Sequence, residues 1–489
     1  MTEMTHWIAL PVVVPLLAAA ASVVVGRSRA AQRVIGIGTL AGLLALAVQM
    51  VVETDREDVL VTQAGGWVAP LGITLTADRL AAVMLLVSIA MLLVVLVFAI
   101  GQGDEERRHV GFHPVYLTLV AGVSLAFLTG DLFNLFVAFE VMLVSSYVLL
   151  TLGGRFAQVR AGTTYVVISL LASVLFLTTL GLLYRATGTV NMGDLPAALG
   201  EVDPALRRVL LLLFLGVFGI KAAIFPLFFW LPDSYPNAPT AVTAVFAGLL
   251  TKVGVYAMIR IQMLIGPDDT VVGGLLLAIA GLTMVVGVLG ALTQQEIKRI
   301  LSFHIISQIG YMVFGLGLLS VAGLAAAILY IVHHIVVKTT LFLTGGLVER
   351  AAGTGHLDRV DGMLRTRPLV GMLFLLPALS LAGVPPFSGF VAKFALVDAG
   401  VAGSSWAVVG VSLLVSVLTL VSMNKIWVGA FLGEPSENAV VHDRLPVTMV
   451  LATGALVVAS IGIALGAGPI QGFAERAAET LLPVAGATP

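Results

Sequence analysis

Five lysines of this 489-residue chain stand inside long apolar runs: Lys221, Lys252, Lys338, Lys393 and Lys425. The other basic residues fall in connections or at the ends of the runs, and all of them but Lys298 are arginine. Arginine stays charged at any relevant pH, whereas a lysine in apolar surroundings can release its proton. A lysine at the centre of a bilayer costs roughly 3 kcal/mol on insertion scales, so five cost on the order of 15 kcal/mol. A chain that keeps arginine out of its apolar runs and retains lysine there reads as a relay for protons. One acid lies as deep, Glu140 in "DLFNLFVAFEVMLVSSYVLL". Lys221 is its expected partner; the same two residues also read as a structural lock between two helices.

Histidines extend the series. In "LYIVHHIVVKTTLFL", His334 and Lys338 are four residues apart and share a helical face. His333 points about 100° away. A zinc site needs more ligands than this pair offers, so no metal is expected. His304 in "IKRILSFHIISQIGYM" is balanced between packing and relay, and Lys425, close to the end of its run, is open to snorkelling.

The elements that hold these groups must be membrane helices. The chain is 59% hydrophobic and 11% charged, with a mean hydropathy of +1.07, where soluble proteins carry about 25% charged residues. Apolar runs of about 20 residues without strict alternation select helices over a barrel. Fourteen spans are expected, at 7–26, 31–52, 78–101, 112–130, 131–152, 162–184, 206–231, 238–262, 271–292, 299–319, 323–347, 369–398, 405–431 and 447–468. The fourth and fifth meet at Thr129–Asp131 in a tight turn, and the tail after the last span is short and partly amphipathic. Residues 7–26 have no basic n-region ahead of them and read as a retained first span, with a signal cleaved near the small residues Ala18–Ser22 as the alternative.

With the N-terminus outside, the inner connections carry 14 basic residues (Arg107, Arg108, Lys298 and Arg444 among them) and the outer ones 7, so both termini are expected outside. A net charge of −1 gives no sign of a nucleic-acid partner, and the absence of cysteine excludes Fe–S ligation, disulfides and thiol catalysis by this chain. No cofactor is expected, nor a substrate-like cluster of mixed polar side chains.

Prolines complete the pattern. Pro226 follows Lys221 by five residues, and the Pro385–Pro386 pair in "LAGVPPFSGFVAK" precedes Lys393. Spans 7 and 12 thus each combine a break with a lysine. Paired discontinuous helices mark inverted repeats with mid-membrane sites, where freed backbone groups admit water.

The stretches "GIKAAIFPLFFWLPDSYPNAPTAVTAVFAGLLTKVGVYAMIR", "QQEIKRILSFHIISQIGYM", "HHIVVKTTLF" and "AGVPPFSGFVAKF" resemble the antiporter-like subunits shared by respiratory complex I and the multisubunit Mrp-type sodium/proton antiporters. "TGDLFNLFVAFEVMLVSSYVLL" and the total length most resemble the D-type branch of the Mrp subunits. The resemblance implies an all-α polytopic fold of about fourteen helices forming one membrane domain over 1–489. Within it, inverted five-helix repeats are implied over helices 4–8 (residues 112–262) and 9–13 (residues 271–431), with helices 7 and 12 broken. It also implies a polar axis: Glu140 with Lys221 on helices 5 and 7, Lys252 on helix 8, His334 and Lys338 on helix 11, and Lys393 as the terminal group on helix 12. One complex I branch has glutamate where this chain has Lys393, and another has a long C-terminal extension that this chain lacks. The implied function is proton translocation within a multisubunit sodium/proton antiporter of a bacterial cell membrane, with other antiporter subunits, protons and sodium as partners and no redox chemistry of its own. The alternatives are a proton-pumping subunit of complex I or of a membrane-bound hydrogenase, and a structural scaffold whose buried charges only fix helix packing.

Overall fold

The computed structural model describes residues 7–67, 69, 72–103, 111–360, 362–434 and 445–482. Arg107, Arg108 and Arg444, counted above on the inner side, lie outside the described residues. The chain is 82% helical, because a backbone in hydrocarbon must satisfy its own hydrogen bonds. Each expected span has a helical counterpart. These are α1 (Leu10–Val24), α2 (Arg29–Glu57), α3 (Arg79–Gln102), α4 (Phe112–Leu128), α5 (Leu132–Thr151) and α6 (Phe156–Thr187). The broken seventh follows as α7a (Pro204–Ala222) and α7b (Trp230–Ser234). Then come α8 (Thr240–Ile265), α9 (Thr270–Thr293), α10 (Ile297–Gly317), α11 (Val321–Ala352), α12a (Pro368–Ala382), α12b (Ser388–Ala402), α13 (Trp406–Phe431) and α14 (Val447–Leu465). Ten of the described helices are long and apolar enough to cross a membrane, and α1, α4 and α12a are shorter apolar helices. The amphipathic tail forms α15 (Ala467–Leu481), which packs on α11 and α3.

Two features depart from the sequence expectation. First, the connection after α2 folds into an antiparallel hairpin, β1 (Val59–Gln63) with β2 (Thr74–Asp78), in the register Val59↔Asp78 to Gln63↔Thr74. The hairpin anchors the start of α3: Asp78 closes β2, accepts the Ala81 amide at 2.8 Å as N-cap, and takes both arms of Arg260 from α8. Burial pulls the Asp78 carboxyl upward, but Arg260 outweighs it and holds it below the usual carboxylate range. Arg260, counted above among residues at helix ends, is thus neutralised in an ion pair. Second, Lys298 is not in a connection. It lies in the first turn of α10, buried, and its Nζ meets Glu349 Oε2 of α11 at 2.7 Å.

The turn between α4 and α5 forms as expected. Asp131 caps α5 by accepting the Asn134 amide at 2.8 Å, and Asn134 donates to Thr129 Oγ1 at 3.0 Å. The core is set by which helices are enclosed. α8 is buried throughout, α10 and α11 almost so, whereas α2, α6, α9, α13 and α14 turn most of their surface outward. α11 stands at the centre, against α10, both halves of helix 12, α14 and α8.

Both breaks form, and they begin before their prolines. α7a ends at Ala222, and Ala223 takes the left-handed conformation (φ 61°). α12a ends at Ala382 with Gly383 left-handed (φ 89°), where a Cβ would meet the Lys393 side chain at 2.8 Å. Pro226, Pro385 and Pro386 sit in the unwound segments that follow, at least partly exposed.

Candidate functional site

The titratable side chains inside the bundle form three neighbouring groups. The first joins α5, α6 and α7a. Lys221 occupies the last turn of α7a, where the negative end of the helix dipole favours a cation. Its Nζ donates to the Ser169 carbonyl at 3.2 Å and to Ser173 Oγ at 3.5 Å, and lies 5.8 Å from the Phe139 ring centre. Ser173 Oγ donates in turn to Glu140 Oε1. Glu140 and Lys221 therefore communicate through a hydroxyl, without a direct ion pair. Ser173 was not singled out in the sequence. Its signal is faint, because serines are common in membrane helices and nothing near it in α6 is charged.

The second group joins α8 and α11. Lys252 is wholly buried, and its Nζ donates to the Ala247 carbonyl, inside a widened π-helical turn at Phe246–Leu250. Such a turn releases carbonyls from the α-helical ladder and is frequent at functional sites. Gly248 lets α11 approach this turn; a Cβ there would collide with Thr339 Oγ1. His334 and Lys338 are wholly buried too, and both ring nitrogens of His334 and the amine of Lys338 have no hydrogen-bond partner among the described residues. Lys338 Nζ lies 5.9 Å from the Phe342 ring centre. Lys252, Lys338 and His334 are all within electrostatic reach of one another.

The third group joins α10, α11 and the break in helix 12. Lys393 reaches back from α12b to the carbonyl of Ala382, the last residue of α12a, at 3.0 Å, and sits 4.9 Å from the Tyr311 ring centre. The break supplies the acceptor. His333 Nδ1 pairs with Ser388 Oγ at 2.8 Å, at the start of α12b, and His304 Nε2 with Ser422 Oγ at 2.8 Å. Each keeps one buried ring nitrogen without a partner among the described residues. His304 is within electrostatic reach of both Lys338 and Lys393, and His333 of Lys393. Tyr311 stacks on Tyr330 with centroids 5.2 Å apart, and Tyr330 donates to Gln308. Tyr330 precedes His334 by one turn and Gln308 follows His304 by one turn, a spacing that could have drawn them out of the sequence.

The structure thus brings together Glu140 with Lys221, and Lys252, His334, Lys338, His304, His333 and Lys393 in one polar series. It sets Lys425 apart. Lys425 donates to the carbonyls of Leu292 and Gln294, at 2.9 and 2.6 Å, where it caps the end of α9. Among the described residues, no group of three or more histidine, aspartate or glutamate side chains could hold a metal ion.

Residues 129–419 match the family described as NADH:quinone oxidoreductase/Mrp antiporter, TM. Over 98% of both chains, the sequence is 42% identical to the D-type subunit of the Na(+)/H(+) antiporter of Alkalihalophilus pseudofirmus. The fold superposes with a TM-score of 0.92, at 35% identity and 98% coverage of each chain, on a chain of the Mrp complex from Dietzia sp.. It also superposes with a TM-score of 0.90, at 26% identity and 98% coverage of each, on a chain of the membrane-bound sulfane sulfur reductase, an archaeal respiratory membrane complex.

Proposed function

This chain belongs to the NADH:quinone oxidoreductase/Mrp antiporter family of membrane subunits, and on that premise we propose that it is the proton-translocating subunit of a multisubunit sodium/proton antiporter. It works beside other antiporter subunits, as a transporter subunit and not as an enzyme. One observation carries the reading. Among the described residues, Lys252, Lys338 and Lys393 are buried with no carboxylate paired to them, while Lys298 and Arg260 each have one and Arg79 has two. A lysine kept for architecture would be expected to have a counter-ion, because an uncompensated buried charge is strongly destabilising. Amines that shed and regain a proton escape that cost for part of each cycle.

In this reading Glu140, acting through Ser173, sets the charge of Lys221. Protons step along Lys252, His334 and Lys338, and Lys393 at the helix 12 break is the terminal group. His304 and His333 flank that last step, tethered by Ser422 and Ser388. One unit of charge arriving about 8 Å from a neighbour changes its energy by roughly 2 kcal/mol at an effective dielectric near 20. That is enough to hand a protonation change to the next group and too little to couple distant groups directly, so transfer is stepwise.

Two five-helix repeats over 112–262 and 271–431 belong to the same proposal, as does residence in the bacterial cell membrane with both termini outside. The repeats are supported by the breaks at corresponding places in helices 7 and 12. The orientation is supported by the excess of basic residues in the connections assigned to the inside.

The experiment is proton and sodium flux in vesicles carrying the assembled complex, with Lys338 changed to arginine and, separately, Lys393 changed to alanine. Arginine keeps the charge and cannot release the proton. Both variants are expected to lose proton flux, and normal flux in either would remove that residue from the path.

A further inference from the structure

Lys393, the last amine of the series, is buried with no carboxylate paired to it among the described residues. Its Nζ donates to the Ala382 carbonyl at 3.0 Å and stands over the ring of Tyr311, 4.9 Å from the ring centre. Among the described residues, three lysine amines stand over aromatic rings, and Lys393 is the nearest of them. Lys221 and Lys338 lie 5.8 and 5.9 Å from Phe139 and Phe342. The face of an aromatic ring carries partial negative charge and attracts a cation within about 6 Å, most strongly where water is excluded.

The Tyr311 ring is fixed from two directions. Its hydroxyl donates to the Ser412 carbonyl of α13 at 2.6 Å and pairs with Ser416 Oγ at 2.8 Å. The ring lies within 8° of parallel to that of Tyr330, with centroids 5.2 Å apart, and Tyr330 lies within 15° of parallel to His334 at 6.4 Å. The hydroxyl is thus engaged on α13, and the ring face is what the amine meets. Other sources of negative charge are missing from the helices packed on α12b. α12a and α14 hold no titratable side chain, and in α13 the titratable group is Lys425, which caps α9. From α11 His333 is within electrostatic reach of Lys393, and from α10 His304. Asp398, on the same helix as Lys393, is exposed.

We propose that Tyr311 is a positioning residue that sets the proton affinity of Lys393: its ring face stands in the place of a counter-ion. The choice of a ring over an acid matters for release. At 4.9 Å and an effective dielectric near 20, a carboxylate would raise the pH at which the amine lets go by about two and a half units. A ring face in the same place does so by about one unit. The amine is therefore favoured enough to be loaded and is still able to unload. The inference rests on the relay reading above.

The test is the pH profile of proton flux through the assembled complex, because in that reading every translocated proton passes Lys393. Tyr311→Phe keeps the ring and is the reference. Replacing Tyr311 by phenylalanine with one, two and then three ring fluorines weakens the ring face stepwise at nearly constant shape. A weaker face favours the neutral amine, so the alkaline limb of the profile is expected to move toward acid with each fluorine, by about one pH unit in all. Tm is expected to stay at that of Tyr311→Phe. Tyr311→Leu, which removes the ring, is expected to move the limb in the same direction; if it does not assemble, the fluorinated series decides the matter. A limb that stays in place, moves toward alkali or moves without regard to fluorine number would overturn the inference. So would a loss of flux with the profile unmoved, which would make Tyr311 a packing residue. Lys393→Ala separates the two levels. Normal flux there would sink the relay reading itself, whereas loss there with an unmoved profile across the series would sink this inference alone.

Discussion

Glutamine at position 140 removes one charge from the α5–α6–α7a cluster and leaves its shape almost unchanged. Ser173 can still donate to the amide oxygen, so the hydrogen bond survives and the electrostatics do not. The magnitude follows from the geometry. Ser173 Oγ is 3.5 Å from Lys221 Nζ and in close contact with Glu140 Oε1, so the two charges are no more than about 6 Å apart. At an effective dielectric near 20 they attract by about 3 kcal/mol, a factor of roughly 100 in an equilibrium constant. Lys221 keeps the Ser169 carbonyl and the end of the α7a dipole, so Glu140→Gln should assemble normally. Sodium-driven proton flux in vesicles should fall at least about ten-fold, because the first amine of the series no longer answers to a neighbouring charge. Alanine at the same position should give the same loss of flux with a larger loss of stability. An assembled Glu140→Gln complex with the wild-type rate and pH profile would refute the coupling, and the carboxylate would then be a packing residue.

Two further outcomes concern the framework. Lys298→Ala strands Glu349 beside Thr240 and should destabilise by about 3 kcal/mol or more, as breaking buried pairs does; thermal unfolding of Lys298→Ala against the double variant Lys298→Met/Glu349→Gln checks this, and the double variant should recover most of the loss. The Asp78 carboxyl is held below its ordinary range, so the stability it contributes is fully present above about pH 4 and is lost as pH falls through the folded value. The Tm difference between the wild type and Asp78→Asn should therefore be largest near neutral pH and shrink in acid, and a difference that grew in acid would contradict the assignment.

Much of the bundle was legible in the sequence because hydropathy is a local property. A run of about 20 apolar residues must close its own hydrogen bonds, whatever surrounds it, so span positions follow from composition alone. The rarity of charge inside those runs makes each exception conspicuous, which is why Glu140, Lys221, Lys252, His334, Lys338 and Lys393 stand out from sequence alone. The hairpin of β1 and β2 was hidden, since two five-residue strands carry little periodic signal beside the long hydrophobic runs. The partners were hidden as well, because nothing local specifies them. Ser173, which links Glu140 to Lys221, is 33 residues from one and 48 from the other. Lys425 caps a helix end 133 residues away, and Lys298 forms a buried ion pair with Glu349. Which cation is neutralised and which is left to titrate is decided by what the neighbouring helices place within about 4 Å of it, and only the packed structure sets that distance.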